Sequence, residues 1–249
     1  MTVAARVQTQ VQQHQHAAYS RAAGGLMVAV TLTFLVTLAV LSTRINWPAS
    51  LDEPASVVLP RILEQRPAVM LGYGSYLLSS LLMIPMALLV RRALDPARAS
   101  ALLGIATTLG VLAGVVKPLG ILRWLSAMPA LAAAYTSPMA TPSGRESIEI
   151  VYTALNAYAG TLGEILGVAV LGGGWLLLLG CALVQQNKQL LGWSGVLVGL
   201  LSLVPLAELF GANVGLLITL GNAAWYLWVL AAGVALLAQP ALTRARSHQ

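Results

Sequence analysis

Six stretches of this chain are apolar over the length of a bilayer, and that pattern constrains the fold more than any motif does. They cover approximately residues 22–43, 68–90, 101–122, 150–184, 192–211 and 214–238. A hydrocarbon core of about 30 Å takes roughly 20 residues of helix, and a chain in lipid must satisfy its backbone internally. The fold expected is all-α: a polytopic membrane protein, a bundle of six transmembrane helices. Charge agrees, since only 9% of the residues are charged where soluble domains carry roughly 25%. Residues 22–238 then form the six-helix domain, between a polar cytoplasmic leader (1–21) and a basic cytoplasmic tail (239–249). The leader, with "VQTQVQQHQH", is too long and polar for a usual signal peptide, so the first helix reads as an uncleaved span.

Lysine and arginine in alternate loops set the orientation. One side holds eight: Arg6, Arg21, Arg91, Arg92, Arg98, Lys188, Arg244 and Arg246. The other holds five: Arg44, Arg61, Arg66, Arg123 and Arg145, with Lys117 inside a span. Both termini are therefore expected in the cytoplasm, with the protein in the cell (inner or plasma) membrane. The net charge of +6 reports topology and lipid headgroups. It does not report nucleic acid, because no clustered, solvated basic face is present.

The fourth run is too long to lie wholly in lipid. "SGRE", Ser143 to Glu146, has the spacing of a capping box, and a helix from there to Val184 would extend well outside the bilayer. The loops 44–67 and 123–149 are long and Pro-rich, and "ASVVLPRILEQ" suggests a short surface helix. Six tryptophans mostly near span ends read as interfacial anchors.

Polar residues inside the spans carry the functional question. Counting back from Val184 puts Glu164 near the outer edge of the hydrocarbon, and Lys117, Arg123 and Glu208 reach a similar depth. At about 100° per residue, Asn156, Gly160, Gly163, Gly167 and Gly174 share one face of the fourth helix, with Glu164 at its border. Gly110, Gly114 and Lys117 align on the third helix. Gly72, Tyr76, Ser79 and Met83 align on the second, and Gly215, Thr219, Asn222, Tyr226 and Gly233 on the sixth. Small residues let helix backbones approach in lipid, so these stripes should face one another. Pro118 and Pro205 each remove a helix hydrogen bond, and a hydrated pocket is expected beside Pro118. The candidate ligand-binding residues are Lys117, Arg123, Asn156, Glu164, Glu208, Asn222 and Tyr76. Glu164 should pair with Lys117 or Arg123, although charges near an interface can also extend into water and line nothing.

Other chemistries find no support. His14, His16 and His248 lie in the tails, which removes a bis-histidine haem, and Cys181 is alone, which removes a disulfide or a multi-cysteine metal site. No zinc-protease, nucleotide-binding or nucleophile-elbow pattern occurs. No cofactor or metal is expected, and no nucleophile–base pair supports an enzyme.

"ILRW" in the third helix and "LNAYAGTLGE" in the fourth carry a resemblance. With the pattern Asn156, Tyr158, Gly160, Gly163, Glu164, the chain resembles a six-span bacterial membrane family known only as a domain of unknown function, the four-three-eight-six group. The resemblance implies an architecture without an activity, and places Arg123 and Glu164 in a recurrent polar set. Three functions remain open. The first is binding or sensing of a small ligand in an outward-facing polar pocket. The second is a small secondary transporter using Lys117 and Glu164, against which the lack of an internal repeat counts. The third is a structural or assembly subunit. Membrane lipids and a small ligand are the expected partners.

Overall fold

The computed structural model describes the backbone of residues 3–94 and 96–238, and side chains within residues 14–94 and 101–238. The tail 239–249, with Arg244 and Arg246, lies outside the described residues, as do Asp95 and the side chains of Arg6 and Arg98. Among the described residues the structure is helical with no strand. Its α-helices are α1 (Val3–Ile45), α2 (Ala55–Glu64), α3 (Arg66–Ala93), α4 (Pro96–Leu125), α5 (Ala127–Tyr135), α6 (Pro142–Gly160), α7 (Gly174–Gln185), α8 (Gln189–Leu201) and α9 (Gly215–Leu237). A π-helix, Thr161–Gly173, joins α6 to α7, and a 3-10 helix, Val204–Phe210, follows α8. Among the described residues six helical stretches are long and apolar enough to cross a membrane, the fourth running from Pro142 to Gln185. At 44 residues it is about twice as long as a bilayer core requires. This is a multi-pass membrane protein.

The spans close into a ring. α1 packs on α3, α3 on α4, α4 on the π-helix and α7, α7 on α8, α8 on α9, and α9 back on α1. The apolar pattern is turned outward as lipid demands. Leu71, Leu78, Leu81 and Leu88 are exposed along α3, and Leu112, Val115, Leu119 and Leu122 along α4. Helix contacts use small residues where backbones meet. A Cβ added to Gly120 would fall 2.7 Å from the Gly163 Cα and 2.8 Å from the Ala159 carbonyl oxygen. Gly24 and Gly233 bring α1 and α9 together, and Gly180 and Gly192 do the same for α7 and α8.

Two cores result. One fills the bundle, with Met27, Met86, Trp175, Leu179 and Val229. The other lies under a cap in which α2 packs against α5, with Leu41, Leu59, Tyr73, Trp124, Met128 and Tyr152. α2 is thus amphipathic and buries Ala55, Val58, Leu59 and Ile62. The cap is held by the Arg61–Glu53 ion pair at 2.6 Å and by the Asn156 amide, which donates to the Leu51 carbonyl at 2.9 Å.

Several expectations are corrected. The region 123–149 is not an extended loop, since it contains α5 and the start of α6. The fourth span is capped by Thr141, not by Ser143 and Glu146: Thr141 Oγ1 accepts from the Gly144 N–H at 3.1 Å. Pro142 explains the shift, because at the first helical position its missing N–H costs nothing. Beyond Leu201 the fifth span continues as a turn and a 3-10 helix around Pro205, not as a kinked α-helix. That helix ends at Gly211, whose φ of 82° suits glycine. Trp124, Trp175, Trp225 and Trp228 are buried core residues and not interfacial anchors. Trp193, 60% exposed, is placed as an anchor would be.

Candidate functional site

Beneath the cap the ring leaves a cavity of about 240 Å³, the volume of about eight waters in the liquid. All six spans contribute. Phe34 and Leu38 come from α1, Tyr73 and Tyr76 from α3, Lys117 and Arg123 from α4, and Glu164 and Val168 from the π-helix. Pro205 and Glu208 come from the 3-10 helix, and Thr219, Asn222, Trp225 and Tyr226 from α9. Trp47, Pro48 and Leu51 close the cap side. α9 meets α1 at Gly233 and at Tyr226, whose ring stacks on Phe34, and meets α8 at Gly221 and Trp228.

The two basic side chains, six residues apart on α4, have different surroundings. Arg123 is paired: its Nη2 lies 3.6 Å from Glu164 Oε1, its Nη1 donates to the Gly120 carbonyl at 3.2 Å, and its guanidinium lies 5.3 Å from the Trp124 ring. Tyr73 stacks on that indole at 5.0 Å. Lys117, 5% exposed, has no carboxylate within 4.0 Å among the described residues. Its Nζ is ringed by aromatics, 5.4 Å from the Trp225 centroid, 5.7 Å from Tyr76 and 6.0 Å from Tyr226. These rings are fixed in turn: Tyr226 stacks on Phe34 at 3.7 Å, and Trp225 Nε1 points at the Gly172 carbonyl at 3.5 Å.

Local backbone explains why Glu164 faces inward. Gly160, Gly163 and Gly167 all lie against α4, where added Cβ atoms would meet Arg123, Gly120 and Lys117 respectively. A π-helix bonds i to i+5, is rare, and occurs frequently at functional sites. It turns less per residue than an α-helix, which keeps Glu164 beside this seam while its side chain stays 55% exposed, toward the cavity it lines. The pairing left open by the sequence thus falls to Arg123, and Lys117 is not the partner.

Of the seven candidate residues, Tyr76, Lys117, Arg123, Glu164, Glu208 and Asn222 line the cavity. Asn156 does not, being spent on the cap. The stripe on α9 divides, for Thr219, Asn222 and Tyr226 line the cavity and Gly233 packs on α1, whereas Gly215 meets nothing. Sequence reasoning missed Trp225 and Trp47 as lining residues. For Trp225 a signal existed, because the middle of a span is the wrong depth for an interfacial anchor. Tyr73 Oη and Arg123 Nε are buried without a hydrogen-bond partner, on residues that line the cavity. No group of three or more His, Cys, Asp or Glu among the described residues could hold a metal.

The profile of the family described as "Domain of unknown function (DUF4386)" matches residues 22–233, from the first span to the sixth. The chain belongs to this family. That assigns the DUF4386 architecture to it without an activity, and the match includes every cavity-lining residue named above. Comparison with curated proteins and with solved structures found no match to this chain.

Proposed function

We propose that this DUF4386 protein binds or senses a small ligand in the cavity under its cap, from the face of the cell membrane opposite its termini. The observation that carries the reading is the cavity itself. Ligand sites are concave, mostly apolar and furnished with a few converging polar groups. Here an apolar and aromatic wall holds Lys117, Arg123, Glu164, Glu208 and Asn222 around one space. Ionisable groups within spans are rare and mark functional positions. The transporter reading, in which Lys117 and Glu164 would bind a counter-ion or proton, has less support, since the sequence carries no internal repeat and Glu164 is engaged by Arg123.

The orientation rests on the basic residues. Arg123 lines the cavity and has no vote as a loop residue, which widens the excess on the terminal side. In a Cys181→Ser background, an impermeant thiol reagent applied to intact cells should label cysteines at Ser56 and Ser137 but not at Ala97 or Ser247. It should also label Ala223→Cys, on the cavity wall, and spare Leu227→Cys, which is exposed one turn away. Ala223→Cys unreactive from both sides would remove the open pocket. Labelling at Ala97 with none at Ser137 would invert the topology.

A further inference from the structure

We infer that the ligand is an amphiphilic anion, whose acidic group docks on Lys117 and whose apolar body lies along the aromatic wall. This rests on the reading of the cavity as a ligand site and goes one step further, to the class of molecule.

The charges in the cavity are not equivalent. Arg123 is neutralised by Glu164 and further engaged by the Gly120 carbonyl. Lys117 is buried, lines the cavity and has three ring faces around its ammonium, with no carboxylate within 4.0 Å among the described residues. Ring faces attract a cation but supply no acceptor for its three N–H donors. A buried charge without a partner is among the costliest features a protein keeps. In a span it calls for a partner. An anionic group entering the cavity supplies that partner. The carboxylates argue for an anion at Lys117: Glu164 and Glu208 also line the space and disfavour an anion beside them, whereas among the described residues no carboxylate lies within 4.0 Å of Lys117.

The rest of the ligand follows from the wall. Tyr76, Trp225 and Tyr226 surround the ammonium, Phe34 stacks on Tyr226, and Leu38, Val168 and Ile218 continue the lining. A small hydrophilic anion such as inorganic phosphate would bring its hydration into an apolar chamber and gain one partner. An acid with an apolar tail gains both. Such an acid could come from the bilayer, as a fatty acid, or from the aqueous side, as a soluble organic acid.

Purified protein in phosphatidylcholine nanodiscs should be titrated with hexanoate, hexanol and hexylamine, which share one body and differ in the head. Tryptophan fluorescence reports binding, because Trp47, Trp124 and Trp225 line the cavity. Hexanoate should bind at least about tenfold more tightly than hexanol, the value of a charge-assisted bond in a desolvated site, and hexylamine more weakly than both. Lys117→Gln should bring hexanoate and hexanol to similar affinity. Because the three-probe comparison is made on the wild-type protein, it stands even where that variant fails to fold. Hexanol equal to hexanoate in the wild type would overturn the anion while leaving the pocket. Hexylamine binding tightest would overturn it in favour of a cation on Glu164 or Glu208. No saturable binding by any of the three would remove the pocket reading as well. Oleate in the bilayer should displace hexanoate where the occupant is a membrane acid and leave it bound where the acid is soluble, and either result keeps the anion on Lys117.

Discussion

Removing Glu164 tests the charge assignment, because the two basic residues of α4 should answer differently. At 3.6 Å, two unit charges attract by about 1 kcal/mol in water and by about 5 kcal/mol at an effective dielectric near 20. Arg123 is buried, but Glu164 is half exposed and the contact is longer than a charge-assisted hydrogen bond. The coupling should therefore fall in the lower half of that interval, at about 1–2 kcal/mol. Glu164→Gln should destabilise the protein, since it leaves Arg123 with one carbonyl and an orphaned Nε. Arg123→Met should cost less once Glu164 has gone. A double-mutant cycle in neutral detergent, read by denaturant titration, isolates the pair. Coupling is expected between Arg123 and Glu164, with little between Lys117 and Glu164 measured with Lys117→Met. A larger coupling to Lys117 would refute the assignment of the free cation, and additivity in both cycles would leave Glu164 an unpaired carboxylate.

The helix seams and the tryptophans can be tested in the same detergent. Gly120→Ala should cost about 1–3 kcal/mol, because its Cβ meets backbone atoms of the fourth span. Gly74→Ala, which meets nothing within 4 Å, should be neutral or stabilise by up to about 1 kcal/mol; the reverse order in melting temperature would dislocate the seam between α4 and the π-helix. Trp175→Ala should cost at least about 2 kcal/mol through the cavity it leaves, and Trp193→Ala no more than about 0.5 kcal/mol. Equal losses would contradict the placing of Trp175 in the core.

The spans were legible because a long apolar run in lipid has one solution, a helix, and the glycine stripes because close packing there has few other devices. α5 was not legible. "AMPALAAAY" lies between prolines in a region read as loop, and its tertiary partner, the buried face of α2, is visible only once the chain is folded. Nor was the π-helix, since nothing in "TLGEILGVAVLGG" distinguishes i→i+5 from i→i+4 bonding. The depth of Lys117, Arg123, Glu164 and Glu208 could be counted from helix ends, and all four line the cavity. Which cation Glu164 meets depends on rotation within the π segment, where the α-helical turn per residue does not apply, whereas α4 continues as α-helix through Pro118. The tryptophans were misread because position near a span end does not show which way a ring points, and Trp225 lies mid-span.

A crystal structure grown from a lipidic phase tests the central claim most directly, through the density inside the cavity. Non-protein density is expected against Lys117 Nζ, extending along Trp225, Tyr226 and Phe34, with Glu164 turned to Arg123. A Lys117 ammonium closed directly onto Glu164 or Glu208, with the aromatic wall collapsed and no space left between the spans, would contradict it.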